Sequence, residues 1–152
     1  LADSNRIVIK GGSAGGYTVL NTLIHHPGVF KAGLCLYGVT NLFTLATETH
    51  KFEEKYLDLM VGALPEHGDR YQAWSPIFHA DKIRDPIAVF QGTEDQVVPP
   101  DQAESIVSVL HRNGVPHIYR RYEGEGHGWR KTSTIESFYE DVDTFLKQYV
   151  LI

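Results

Sequence analysis

Cysteine is almost missing: Cys35 is the only one in 152 residues. It cannot close an internal disulfide, so the fold must rest on packing, and a reducing compartment such as the cytoplasm is expected. Long apolar runs are missing too. None approaches the ~20 residues that span a bilayer, so no membrane partner is expected. Positive charge is in deficit, with 14 Lys and Arg against 19 Asp and Glu for a net charge of −5. That balance argues against nucleic acid or an anionic membrane surface as the main partner. The chain has no Gly-Lys-Ser/Thr phosphate loop, and no glycine triplet with dinucleotide-binding spacing. Its eight histidines lack paired ligand spacing, so neither a metal nor an organic cofactor is expected. What remains is 42% hydrophobic and 22% charged residues, the balance of one ordinary globular domain.

The apolar pattern alternates between two periods. Ile7 to Ile9 is a β-branched run broken at Gly11-Gly12, read as a buried parallel strand. Ala14 to Ile24 has Tyr17, Leu20, Leu23 and Ile24 at helical spacing, stopped by Pro27-Gly28. Ala32 to Tyr37 and Ile87 to Phe90 read as two more buried strands. Between them lies a polar connection in which Lys51 to Val61 reads as a helix, with Phe52, Tyr56, Leu59 and Met60 on one face. Pro99-Pro100-Asp101 opens a helix ended by Gly114, with Glu104 completing a capping-box-like start and Ala103, Ile106, Val107 and Leu110 facing inward. Ile118 to Tyr122 mixes cationic and apolar residues as an edge strand does. Thr132 to Tyr149 is an amphipathic helix through Ile135, Phe138, Val142, Phe145 and Leu146. Strands alternating with helices predict an α/β fold with a mainly parallel sheet flanked by helices.

In such sheets function gathers at the carboxyl ends of the strands, and three of those ends carry reactive groups. Gly11-x-Ser13-x-Gly15 follows a strand and precedes a helix, the setting of a nucleophile elbow. Small residues on both flanks are expected to make room for the strained turn, and the helix dipole favours charge developing near Ser13. Read alone, the same glycine-rich turn could hold a phosphate. The second end is Gly92-Thr93-Glu94-Asp95-Gln96, where Asp95, with Glu94 as fallback, is the acid expected to hold an imidazole. The third is Gly124-Glu125-Gly126-His127-Gly128-Trp129, where flanking glycines let His127 approach Ser13. The chain order Ser13, Asp95, His127 is that of the α/β-hydrolases. It predicts acyl transfer with His127 as general base, and activity that falls as acid protonates the imidazole.

The segments Gly11-Gly12-Ser13-Ala14-Gly15-Gly16-Tyr17, Phe52-Glu53-Glu54-Lys55-Tyr56-Leu57, Trp74-Ser75-Pro76-Ile77, Gly92-Thr93-Glu94-Asp95-Gln96-Val97-Val98-Pro99 and Glu123-Gly124-Glu125-Gly126-His127-Gly128 occur in that order. In this the chain resembles the prolyl oligopeptidase family of serine peptidases, closest to its acylaminoacyl-peptidase and dipeptidyl-peptidase-like branch. The resemblance implies an α/β-hydrolase fold and a peptidase with Ser13 as nucleophile, His127 as base and Asp95 as its partner. It further implies that Ala14, where many members have an aromatic residue, supplies a backbone N–H to the oxyanion hole. By position, Val39, Leu42 and Val98 would line an apolar specificity pocket, although ordinary packing would account for them equally well. Members also carry a β-propeller and earlier hydrolase strands, which hold the second oxyanion donor. Residues 1–152 are therefore expected to be the C-terminal part of a hydrolase domain lacking those pieces. The expected partner is a peptide or small ester, and the edge of the Ile7 strand is expected to pair with a second copy. A carboxylesterase, and a catalytically incompetent segment of a larger peptidase, are the rival readings.

Overall fold

The computed structural model describes residues 2–48 and 54–152. Four parallel strands form one sheet in the order β1-β2-β3-β4: β1 (Val8–Gly12), β2 (Ala32–Leu36), β3 (Ile87–Gly92) and β4 (His117–Tyr122). Each parallel step crosses over through helices, the connection such pairs require. Period-two alternation divides the sheet's side chains between two cores. Cys35, Ile87 and Val89 pack under α1 (Ala14–His25) and α5 (Pro100–Arg112), against Leu20, Leu23, Ile106 and Leu110. Ala32, Leu34, Leu36 and Phe90 face α6 (Thr132–Tyr149) through Phe138 and Phe145. Every residue of β2 and β3 is buried, which is why both read as uninterrupted apolar runs.

Elsewhere the sequence pattern needs correction. β1 runs Val8–Gly12 rather than 7–9 and is half-buried, because among the described residues it pairs only with β2. The helix expected over 51–61 is α3 (Glu54–Met60), and Phe52 lies outside the described residues. Its expected inner face points outward, with Tyr56, Leu59 and Met60 exposed; Leu57 and Val61 are buried instead. The Asp101/Glu104 capping box does not form. Pro99 caps α5 without a side-chain bond and Pro100 takes the first helical position, while Glu104 lies 3.7 Å from Arg121. Ile135 is exposed; the buried positions of α6 are Thr134, Phe138 and Phe145.

The connection between β2 and β3 holds more structure than its polarity suggested. It contains α2 (Leu42–Glu48), α4 (Gly68–Trp74) and a 3-10 helix (Pro76–Lys82). Asn41 starts α2 by accepting the N–H groups of Phe43 (3.0 Å) and Thr44 (3.4 Å) on its side-chain oxygen. A third apolar cluster, with Val39, Leu42, Leu57, Val61, Tyr71 and Val98, joins this connection to the loop after β3.

Candidate active site

β1 turns directly into α1 at Ser13, whose backbone sits at φ 58°, ψ −118°. Such a conformation costs a non-glycine residue about 1–3 kcal/mol. Neighbouring hydrogen bonds hold it: the Ser13 N–H donates to Leu36 O at 2.9 Å, and Ser13 O accepts the Tyr17 N–H at 3.1 Å. The elbow glycines are not equivalent. A Cβ on Gly11 would run into the carbonyl of Gly15, and one on Gly12 would stand 2.8 Å from the Tyr37 ring. Gly15 faces open space, so the expectation that both flanks of the motif must be small holds only for Gly11.

Two strands over, across β2, the chain after β3 buries Asp95. Its Oδ1 accepts the N–H groups of Val97 and Val98, both at 2.9 Å, and its Oδ2 lies 2.8 Å from Nδ1 of His127. A carboxylate only accepts, so Nδ1 carries the hydrogen, and in the neutral imidazole Nε2 then keeps its lone pair. Glu94 is exposed and makes no bond to the imidazole, so the structure pairs His127 with Asp95 and not with the fallback. The His127 side chain is 24% exposed, open on one side. No hydrogen bond joins Ser13 to His127 among the described residues, so the expected three-membered row is made at its Asp95–His127 half only. Such contacts are commonly loose before substrate binds.

The loop bearing His127 is held from two sides. Glu125, itself buried, accepts the N–H groups of Arg130 (2.8 Å) and Lys131 (3.2 Å) on Oε2 and so closes the loop around His127. Its backbone carbonyl accepts the Glu94 N–H at 2.9 Å, and the Thr93 hydroxyl accepts the Gly124 N–H at 2.9 Å, tying the loop to the one carrying Asp95. Glu125 is a residue the sequence reading passed over, although it stands within the glycine-rich His127 segment. Like Asp95, it is a buried carboxylate satisfied by backbone N–H donors instead of a cation.

Next to Ser13 opens a cavity of about 270 Å³, lined by Ser13, Ala14, Val39, Leu45, Tyr56, Leu57, Val97 and Val98. A neighbouring cavity of about 290 Å³ shares Ala14, Val39, Leu45, Tyr56 and Leu57 and adds Leu42 and Trp74. Val39 and Val98 therefore border the Ser13 cavity itself, and Leu42 borders the adjoining one. The wall is fastened from behind by Gln102 of α5, which is buried. Its Oε1 accepts the N–H groups of Thr40 and Asn41, both at 2.8 Å, and its amide nitrogen donates to Asn41 O (3.1 Å) and Thr44 Oγ1 (2.6 Å). Ser75 Oγ accepts the Leu42 N–H at 2.9 Å.

The sequence profile of the prolyl oligopeptidase family matches residues 1–151. Dipeptidyl peptidase family member 6 of Caenorhabditis elegans is 33% identical over 97% of this chain and 21% of its own length. Dipeptidyl aminopeptidase BIII of Pseudoxanthomonas mexicana is 28% identical over 95% of this chain and 22% of its own. Among solved structures, a Mycobacterium tuberculosis puromycin-hydrolyzing peptidase superposes with a TM-score of 0.93 at 39% identity, covering 99% of this chain and 23% of that one. The chain thus spans about a fifth of the length of the curated relatives it matches.

Proposed function

The chain belongs to the prolyl oligopeptidase family of serine peptidases, and from that premise we propose that it hydrolyses peptide bonds of short peptides through an acyl-enzyme formed on Ser13. The observation that carries this reading is the Asp95–His127 pair at 2.8 Å, set at the same rim of the sheet as the strained Ser13. His127 Nε2 takes the hydroxyl proton as Ser13 Oγ attacks the carbonyl carbon. The backbone N–H of Ala14 receives the charge developing on the carbonyl oxygen. Asp95 keeps the hydrogen on Nδ1 and stabilises the imidazolium. His127 then gives its proton to the departing amine, and water repeats the sequence to free the acid. The proposed chemistry needs no metal or organic cofactor.

The cavities beside Ser13 support an uncharged apolar side chain on the acyl side of the cleaved bond, since Val39, Leu42 and Val98 offer it no charge. The test is labelling by a fluorophosphonate. Ser13 of the folded protein reacts, and Ser13→Ala or prior denaturation abolishes the reaction. Parallel rates on aminoacyl-anilides and nitrophenyl esters then separate peptidase from carboxylesterase. A folded protein that resists labelling and hydrolyses neither substrate overturns the reading in favour of an incompetent segment.

A further inference from the structure

Two non-glycine residues among those described have positive φ: Ser13 at 58° and Tyr37 at 37°. They stand side by side just past the ends of β1 and β2. The β1–β2 register pairs Gly12 with Leu36, and Ser13 and Tyr37 each come next in their chains. Strain of this kind persists only where the surroundings enforce it, and it gathers at functional sites. For Tyr37 the enforcing contacts are visible. Its N–H donates to Phe90 O at 2.7 Å. Its ring lies across Gly12, in the notch left by the missing Cβ, where an added carbon would come within 2.8 Å. The same ring meets His127, with centroids 4.6 Å apart and planes at 54°, and Trp129 packs edge-on at 5.3 Å and 75°. The Tyr37 ring thus spans from the residue before Ser13 to the imidazole.

We propose that Tyr37 is a positioning residue that fixes the direction in which His127 presents Nε2. The inference rests on the function proposed above. A histidine held only through Nδ1 is free to swing about that hydrogen bond; a second contact on its ring removes the freedom. The aromatic ring supplies that contact, and its π face favours the imidazolium formed when Ser13 is deprotonated. Gly12 is small, on this view, to admit the Tyr37 ring.

The test uses the full chain and compares Tyr37→Leu with Tyr37→Phe on one apolar aminoacyl-anilide. Tyr37→Leu lowers kcat roughly 10–100-fold with KM within about twofold, the scale of a small misplacement of a reacting group. Tyr37→Phe keeps the ring and stays within about threefold of wild type. The downfield proton resonance of the His127–Asp95 hydrogen bond is sharp in wild type and Tyr37→Phe, and broadened in Tyr37→Leu. Gly12→Ala displaces the ring without removing it; it gives the same kcat loss, and the double variant Gly12→Ala/Tyr37→Leu loses no more than Tyr37→Leu alone. If Tyr37→Leu does not fold, Gly12→Ala decides, and full activity there overturns the proposal. An active wild type with Tyr37→Leu unimpaired, or with Tyr37→Phe equally impaired, overturns the positioning role alone. A wild type that neither labels nor hydrolyses overturns the catalytic reading, and this inference with it.

Discussion

The Asp95 carboxylate is shared between two tasks: Oδ2 meets His127 Nδ1 at 2.8 Å while Oδ1 accepts the N–H groups of Val97 and Val98 at 2.9 Å each. The group that orients the imidazole is thereby the group that folds Val98 into the cavity wall beside Ser13. Asp95→Asn retains an oxygen for the backbone donors but presents an amide to Nδ1, forcing the wrong tautomer. The expected result is a kcat about 10⁴-fold lower with KM little changed. Glu94→Gln, at an exposed position, leaves kcat within about twofold. Steady-state kinetics on one aminoacyl-anilide check both; an Asn variant within tenfold of wild type would remove Asp95 from the mechanism.

The elbow glycines yield opposite stability predictions. Gly11→Ala drives a methyl group into the Gly15 carbonyl and should destabilise the fold by about 1–3 kcal/mol. Gly15→Ala, in the first turn of α1 with open space around it, should stabilise by about 0.4–1 kcal/mol. Urea midpoints of the two variants should fall on opposite sides of wild type. A shift in the same direction for both contradicts the geometry.

Alkaline pH supplies a third check. Burial, reinforced by the hydrogen bond to Asp141 at 2.9 Å, pushes the Tyr122 hydroxyl well above its ordinary value of 10.0. The native state therefore favours the neutral phenol. This stabilisation is complete below about pH 10 and is lost as pH rises toward the folded value. Burial also lifts the Tyr119 hydroxyl, to about 12. Thermal melts from pH 8 to 11 should show Tm falling steeply above pH 10. Tyr122→Phe should flatten that fall while lowering Tm below pH 10 through the lost hydrogen bond, worth about 1 kcal/mol. An unchanged alkaline slope in the variant would count against the assignment.

The outer edge of β1 offers backbone groups to a further strand, and we propose that the isolated 152-residue chain self-associates there. Lys10, exposed in the middle of β1, is the one charged residue opposing it. Light scattering should give a mass above the monomer that rises with concentration, and Lys10→Thr should strengthen the association. A clean monomer for both proteins sinks the idea.

The sequence disclosed most where burial is complete. β2 and β3 are buried on both faces, so their composition carries the signal without help from the turns. The Asp95–His127 pairing was legible because both residues stand just past strand ends in glycine-containing loops, and the strained turn at Ser13 because it follows β1 within a glycine cluster. The seven-residue helices were harder: α2 and α4 present two turns each, too short for a stripe to emerge, and α3 shows as a helix but with the wrong inner face, since Leu59 and Met60 advertise a side that the fold leaves outside. Nothing local distinguishes Tyr37 either. Its importance comes from a ring contact with a residue 90 positions away and from a notch at Gly12 on another strand.

The clasp formed by Gln102 has a consequence for anyone wishing to alter the protein. The segment bearing Val39 and Leu42 is fastened through its main chain to a buried amide on α5, so its backbone has an anchor besides the apolar cluster that buries those two side chains. Libraries restricted to apolar residues at Val39, Leu42 and Leu45 should therefore retain folded members, whereas a library that also varies Gln102 should not. On the function proposed above, the wall beside Ser13 can then be re-cut within the limits of apolar packing while its backbone stays where Gln102 holds it.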